Sequence, residues 1–437
     1  MGSGNCFLYA GFFALGFNDG IHINYSGLEY DNDYHYKFRG FRWFIDLLSI
    51  LATAITLLMV FVFKDALNEN YVVYLLSALN IIPVLVNGFF AYVNQGTMRF
   101  SYFARANLLE KIFYLVMMAA LLAFGVKEAL YYMLTYTFAR YLVILYNRIT
   151  SRELYGSPIE SFSELRPEIK QNFISGFVLM IATLCNQSII VPGRLLVENQ
   201  YGSVAFSCYS FAIHTMVIAN QITTALSQVF FPAMKRAQHE NFNEVFTTID
   251  NAIGVLSIVL LISYFPVYGL IKVAYPDYSQ ILDYLFCLYP LFIMTSKSAI
   301  LIINTYKMDS DNKKLLTNNA IGVAINAIAV LIAHLLFGSV YAVAFASLVG
   351  YVAWYYYCYL QLLRERQIGL GFSNFIDLIV IVAFILMNLS LKSLIREQWT
   401  YLGISAGVYV VCCVIAFLTF KRYFVTTTKK FITYMNK

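Results

Sequence analysis

Residues 172–236 read NFISGFVLMIATLCNQSIIVPGRLLVENQYGSVAFSCYSFAIHTMVIANQITTALSQVFFPAMKR, and this stretch decides the fold. It contains two long apolar runs, about 172–196 and 204–231, joined by a short polar turn around residues 198–203. Each run exceeds the roughly 20 helical residues that cross the hydrocarbon core of a bilayer. Because polar groups in hydrocarbon are costly, we expect both helices to face a bundle interior or a hydrated pathway. The residues that lead to this expectation are the polar Asn186, Gln187, Arg194, His214, Asn220 and Gln221, together with Pro192.

The composition of the whole chain is that of a polytopic membrane protein. Of its 437 residues, 60% are hydrophobic and only 12% are charged, whereas a soluble domain carries about 25% charged residues. The net charge of +6 does not indicate nucleic-acid binding, because the basic residues lie at the ends of apolar runs. The seven cysteines form no CxxC motif and lie almost entirely within apolar runs, so we interpret them as small core residues. We therefore expect no metal site and no other cofactor.

The apolar runs predict an all-α membrane helix bundle with about 13 transmembrane helices. Runs of this length satisfy their backbone hydrogen bonds in lipid as helices. The predicted spans are 5–23, 43–63, 71–94, 108–125, 128–147, 172–196, 204–231, 247–271, 281–304, 316–337, 339–362, 372–391 and 399–420.

The lysines and arginines between these spans predict the orientation. One alternating set of loops, together with the C-terminal tail, carries 22 of them, and the other set carries six. Positively charged loops face the cytoplasm, so we expect the C-terminus inside a bacterial cytoplasmic membrane. Thirteen spans then place the N-terminus outside, although residues 1–13 carry no signal for that side. We therefore expect that one N-terminal helix is missing from this sequence.

The loops predict the domain organisation. The external loops are short, and the only sizeable loop, 148–171, is polar and internal. We expect an N-terminal bundle over 1–147, a linker over 148–171, a six-helix bundle over 172–366, and two further helices with a basic tail over 367–437. Transporters are often built from two such bundles with the substrate site between them.

Two cations inside predicted spans are the strongest candidate site residues. Arg140 and Lys297 each lie about seven residues from the cytoplasmic end of a span, which is roughly 10 Å deep at 1.5 Å per residue. Such residues are functional candidates, and an arginine can bind a phosphate through two hydrogen bonds. The alternative is that each side chain reaches back to the membrane surface. Arg194, at the outer end of its span, is open to the same two interpretations.

Three other polar residues are weaker candidates for a cavity or for ion coupling. Asp19 and His22 lie on the first span and could line a cavity or sit at a helix-end turn. His214 is more typical of a core histidine than of a ligand. Four aspartates, Asp46, Asp250, Asp283 and Asp377, lie close to span ends. We interpret them as interfacial, which leaves no clear relay for H⁺ or Na⁺ within the membrane.

Three stretches resemble polysaccharide-repeat flippases, the O-antigen and capsule transporters of the multidrug/oligosaccharidyl-lipid/polysaccharide (MOP) superfamily. ALGFNDGIHINYSGLEYD (14–31) is similar to the second helix of that family, where a Leu-Gly-x-x-Asp-Gly turn precedes a basic loop. Residues 191–236, from VPGR to PAMKR, resemble its seventh and eighth helices. INTYKMDSDNKKLLTNNAIG (303–322) resembles its connection between the tenth and eleventh helices. The family's 14-helix pattern agrees with a missing first helix, and Gly193 departs from it by standing where an acidic residue often precedes the arginine.

The resemblance implies a transporter that flips lipid-linked oligosaccharide repeat units from the inner to the outer leaflet by alternating access. The anionic diphosphate head group would bind Arg140, Lys297 and Arg194, with membrane lipid and other polysaccharide-assembly proteins as further partners. Coupling to H⁺ or Na⁺ stays open. One alternative is a multidrug or small-cation exporter of the same superfamily, for which acidic cavity residues are expected. The other is a membrane polymerase or ligase, although no catalytic motif and no large external loop is present.

Overall fold

A computed structural model describes residues 15–25, 32–64, 71–155, 162–237, 242–395 and 397–419. The secondary structure of these residues is helical. The α-helices are α1 Phe17–Tyr25, α2 Asn32–Val62, α3 Tyr71–Leu79, α4 Ile81–Gly96, α5 Phe100–Ala123, α6 Ala129–Thr150, α7 Phe162–Ser188, α8 Val191–Ala237, α9 Phe242–Leu260, α10 Tyr264–Ala274, α11 Leu285–Leu288, α12 Leu291–Lys297, α13 Asn304–Met308, α14 Asn312–Phe337, α15 Val340–Glu365, α16 Ile376–Leu394 and α17 Gln398–Thr419. Short 3₁₀ segments cover Arg152–Leu154, Leu261–Ser263, Pro276–Asp283 and Phe372–Phe375, and a π-helical segment covers Ser298–Ile303.

The structure confirms the all-α membrane fold. Every predicted span coincides with helix in the part of the chain that the structure describes, although residues 5–14 of the first span lie outside it. Nine of the described helical spans are long and apolar enough to cross a membrane, and a bent pair formed by α7 and α8 makes up to ten. The helix α6, which carries Arg140, is not among the nine. The chain is thus a multi-pass membrane protein.

The predicted linker at 148–171 is largely helical where it is described. Its first residues complete α6, and α7 begins ten residues earlier than the predicted span, at Phe162. Pro167 lies inside α7, where it removes one backbone donor. Residues 156–161 lie outside the described part. The contacts between residues group the chain into two compact units, one up to Ile181 and one from Ala182 onward.

The first unit is held together by an aromatic core. Phe17 of α1, Phe41 of α2 and Phe89 of α4 are fully buried in it. α1 also approaches α7 closely, because a Cβ on Gly176 would lie 1.9 Å from the Gly16 carbonyl oxygen and one on Gly20 would lie 2.0 Å from that of Asn172. Only glycine allows this approach. The contact fixes α1, and with it Asp19 and His22.

The second unit is organised around the span Leu285–Met308, of which 83% is buried. This span comprises α11, α12, the π-helical segment and α13, and it packs against α8, α9 and α15. Its polar residues are paired. Asn220 of α8 accepts hydrogen bonds from the hydroxyls of Thr295 and Ser296, at 3.0 and 3.2 Å. Hydrogen bonds between helices of this kind stabilise packing in membranes.

The polar turn predicted at 198–203 is confirmed. Gly202 has φ 86° and ψ 174°, which interrupts α8. A Cβ on Gly193 would lie 2.5 Å from the Tyr209 hydroxyl oxygen, whereas sixteen residues of straight helix would separate the two by about 24 Å. The chain therefore doubles back at Gly202. A second break, at residues 189–190, was not predicted.

Candidate functional site

Arg140 lies on α6 beside an acidic partner on α5. Its Nε is 3.6 Å from the Glu110 carboxylate. Its Nη2 donates a 2.8 Å hydrogen bond to the hydroxyl of Tyr136, one helical turn earlier. Side-chain exposure is about equal for the two charges, at 15% for Arg140 and 14% for Glu110. Glu110 is shared with Lys111, whose Nζ lies 3.3 Å from the same carboxylate oxygen. The cation that we predicted to be available for a substrate thus has an acidic partner within the first unit.

Lys297 lies at the end of α12 and is 1% exposed. Its ammonium group forms an ion pair of 2.5 Å with Asp250 of α9. It forms a second ion pair with Asp377 of α16. These two aspartates, which we interpreted as interfacial, are buried inside the second unit with exposures of 2% and 1%. Burial without pairing would cost several kcal/mol for each charge, so the three residues stabilise one another.

A chain of hydrogen bonds continues from this cluster. The Tyr359 hydroxyl donates to Asp250 Oδ2 at 2.5 Å and accepts a 2.5 Å hydrogen bond from Asn374 Nδ2. Asn374 Oδ1 in turn accepts from the backbone N–H of Gly371 at 2.7 Å. Gly371 is exposed. The cluster is thus connected to the protein surface at the loop that precedes α16.

Arg194 is the candidate cation without an acidic partner. It lies in the first turn of α8 and is half-buried. Among the described residues it makes no hydrogen bond or ion pair, and its Nε is fully buried without a partner. Tyr209 and His214 are its titratable neighbours. The guanidinium group could therefore receive an anionic ligand without first breaking an ion pair.

Gly193, which stands where the flippases that this sequence resembles often have an acidic residue, is closely packed. A Cβ on Gly193 would lie 2.5 Å from both the Ser347 and the Tyr209 hydroxyl oxygens. These two hydroxyls bond each other at 2.8 Å. Since no side chain fits here, an acidic residue at position 193 is excluded by packing. Arg194 thereby loses the neighbour that could have neutralised it.

The other three candidates differ in their environments. Asp19 and His22 are brought together by Tyr92 of α4, whose hydroxyl donates to Asp19 at 3.1 Å and whose ring centroid is 5.2 Å from that of His22. His22 is buried and Asp19 is half-buried. His214 is exposed, so the interpretation as a core histidine is wrong.

A cavity of about 360 Å³ lies at the end of α6, outside the predicted site. Arg148, Arg152 and Tyr155 line it together with two aliphatic residues. The guanidinium group of Arg42 stacks on the Tyr155 ring at 4.1 Å. Within the described ranges, no group of three His, Cys, Asp or Glu residues is placed to hold a metal ion.

The sequence analysis missed the partners of Lys297, although a signal was present. Asp250 and Asp377 both lie a few residues inside predicted spans, at ends that the charge distribution places in the cytoplasm. Lys297 lies near the same side of its own span. Charges at a common depth in adjacent helices tend to pair with one another, so the shared side is a signal for pairing. The rotation of the helices, which the sequence does not reveal, decides whether the three residues meet.

The fold is similar to that of solved transporters. A MATE structure in a straight conformation matches with a TM-score of 0.62 at 12% sequence identity. The match covers 87% of this chain and 85% of the MATE chain. An outward-facing multidrug resistance MATE family transporter of the MOP superfamily gives 0.61 at 10% identity, over 83% and 86%. A MOP superfamily transporter from Pyrococcus furiosus gives 0.61 at 9% identity, over 82% and 85%. No protein-family model and no curated protein matches the sequence.

Proposed function

We propose that this protein, which has a MATE-like fold, is a transporter that flips lipid-linked oligosaccharide repeat units from the inner to the outer leaflet by alternating access. It would act in surface polysaccharide biosynthesis in a bacterial cytoplasmic membrane, with its C-terminus in the cytoplasm. The fold supports transport, and the resemblance of residues 14–31, 191–236 and 303–322 to polysaccharide-repeat flippases supports the substrate class. Other polysaccharide-assembly proteins are proposed partners.

Arg194 is the observation that carries the proposal. A half-buried guanidinium group without a hydrogen-bond or ion-pair partner among the described residues is costly unless a ligand balances it. An anionic diphosphate matches its charge and its planar set of donors. Arg140 and Lys297 remain proposed contacts, but each has acidic partners that a substrate would have to displace. We therefore place Arg194 first.

The second candidate function is export of drugs or small cations. One similar structure is described as a multidrug resistance transporter, and Asp19 offers a half-buried carboxylate beside Tyr92. For the transporter from Pyrococcus furiosus, however, reverse polarity of the binding pocket is said to suggest a different function. In the chain described here, an arginine without an acidic partner among the described residues favours an anion over a cation. A polymerase or ligase has no supporting observation in the described structure.

Gene deletion and complementation test the proposal. We expect deletion to remove surface polysaccharide and to trap complete lipid-linked units in the inner leaflet. A hydrogen bond to a charged group contributes about 1.5–3 kcal/mol, so Arg194→Ala should slow flipping by about 10–100-fold, at 1.4 kcal/mol per factor of ten. Arg194→Lys should retain part of the rate, and Arg364→Ala, at an exposed arginine, should have no effect at equal expression.

Other outcomes would replace the proposal. If deletion leaves polysaccharide intact but lowers dye efflux, and Asp19→Asn does the same, the protein is a cation exporter. If single repeat units reach the outer leaflet and fail only to polymerise, it is a polymerase. If Arg194→Ala flips as fast as the unaltered protein, Arg194 does not bind the head group.

A further inference from the structure

The cluster of Asp250, Lys297 and Asp377 contains two carboxylates and one ammonium group, all at most 2% exposed. If all three were ionised, the cluster would carry one net negative charge. Among the described residues, the other titratable groups that interact with it are the phenols Tyr355, Tyr356 and Tyr359, all of α15. Phenols are neutral at pH 7. The described surroundings therefore supply no second positive charge.

An unbalanced charge in a buried site is relieved most simply by a proton, because a buried carboxyl group takes up a proton rather than remain charged. With one proton bound, the cluster holds one ammonium, one carboxylate and one neutral carboxylic acid. Its net charge is then zero. A sodium ion would also balance the charge, but the Lys297 ammonium group already contacts both carboxylates and would repel it.

The hydrogen bonds distinguish the two carboxyl groups. Asp250 accepts from the Tyr359 hydroxyl at 2.5 Å, and this donor stabilises its charged form. The other oxygen of Asp250, Oδ1, contacts Lys297, so both of its oxygens have a partner. Asp377 contacts Lys297 through Oδ2, and its Oδ1 is buried without a hydrogen-bond partner within the described residues. The proton is therefore better placed on Asp377, with Asp250 as the carboxylate that balances Lys297.

Two further features agree with a functional role for the cluster. The π-helical segment Ser298–Ile303 begins directly after Lys297, and π-helical segments inside helices occur frequently at functional sites. The hydrogen bonds through Tyr359 and Asn374 end at the exposed Gly371. They give the cluster a short connection to the side that the charge distribution predicts to be cytoplasmic.

We propose that the Asp250–Lys297–Asp377 cluster is a proton-binding site that holds one proton and exchanges it with the cytoplasm during transport. The proton comes from water: hydronium gives it to the Asp377 carboxylate, which becomes a carboxylic acid, and water is released. The net charge of the cluster changes from −1 to zero. The role in transport rests on the proposed function, whereas the bound proton does not.

Infrared spectroscopy of the full-length protein in lipid nanodiscs at neutral pH tests for the proton. We expect a carbonyl band of one buried carboxylic acid, which Asp377→Asn abolishes. Asp250→Asn should abolish it too, because the remaining aspartate then balances Lys297 without a proton. Lys297→Met should double the band, since both carboxyl groups then require protons. Asp283→Asn, at an exposed aspartate paired with Lys392, is the control and should leave it unchanged.

The proposal is overturned if the unaltered protein shows no such band, or if the band survives in both Asp→Asn variants. Flipping of a short-chain lipid diphosphate oligosaccharide in liposomes tests the coupling separately. We expect a pH gradient to accelerate flipping by the unaltered protein but not by the Asp377→Asn variant. If the gradient accelerates flipping equally in both, the proposed role of the cluster in coupling is overturned. If the unaltered protein moves no substrate at all, the proposed function fails while the spectrum still decides on the proton.

Discussion

At the scale of single residues, the decisive property of each charge is its partner. Arg140, Lys297 and Arg194 look alike in the sequence, as isolated cations in or beside apolar runs. The structure separates them, because Glu110 pairs with the first, two aspartates pair with the second, and Arg194 has no such partner in the described chain. Their presence and their positions along the apolar runs could be read from the sequence. Their partners could not, since pairing depends on how the helices are rotated against one another.

Lys297 and Lys392, which both have aspartate partners in the described part of the second unit, should respond very differently to loss of charge. Breaking a buried ion pair costs about 3–5 kcal/mol, so Lys297→Met should lower the free energy of unfolding by about that amount. Lys392 pairs with the exposed Asp283 at 2.8 Å, and exposed pairs contribute about 0–1 kcal/mol. Lys392→Met should therefore change stability little. Thermal unfolding in detergent measures both, and equal effects would contradict the buried pairing.

At the scale of helices, apolar runs predicted the elements well and their interruptions less well. The turn at Gly202 follows from the polar residues around it. The break at residues 189–190 follows from Pro192, which has no N–H to donate to the carbonyl group of Ser188, where α7 ends. The pattern of apolar residues alone did not reveal it, because Ile189, Ile190 and Val191 continue the run.

Gly202 should not tolerate a side chain. Its φ of 86° and ψ of 174° lie in a region that is essentially restricted to glycine, with a cost of about 1–3 kcal/mol for other residues. Nothing lies within 4 Å of a Cβ placed there, so the loss for Gly202→Ala should come from the backbone alone. Gly403→Ala, in α17 and equally open, is the matched control. It should be neutral or stabilising by up to about 1 kcal/mol, because alanine favours helix.

The crossing of α1 and α7 should be equally sensitive, for a different reason. Gly176→Ala would place a methyl group 1.9 Å from the Gly16 carbonyl oxygen, so the helices must separate. Overpacking of this kind costs about 1–3 kcal/mol. We expect increased hydrogen exchange in α1, including Asp19 and His22, and unchanged exchange in α14. Unchanged exchange in α1 would contradict the close approach.

At the scale of the whole molecule, the all-α membrane fold could be predicted in full, because length and hydrophobicity are properties of the sequence itself. The substrate could not, because it depends on which side chains share a cavity. The orientation remains a prediction from 22 basic residues in one set of loops and tail against six in the other. It determines which side of the proposed transporter receives substrate.

Cysteine labelling in intact cells tests this orientation. In a variant without the native cysteines, Lys127→Cys should react with a membrane-impermeant maleimide, because its loop belongs to the set with few positive charges. Lys313→Cys, in the opposite set, should react only after the cells are permeabilised. Both lysines are exposed, so accessibility within the protein is matched. The reverse result would invert the topology.

The bend between α7 and α8 has a consequence for biogenesis. α7 and the first part of α8 are long and apolar enough to cross a membrane when they are taken together. Neither is among the nine helical spans that are long and apolar enough individually. A helix that partitions poorly from the translocon into lipid needs a companion to shield its polar groups. The nascent chain should therefore retain α7 beside the translocon until α8 emerges, and release the two into the bilayer as one unit.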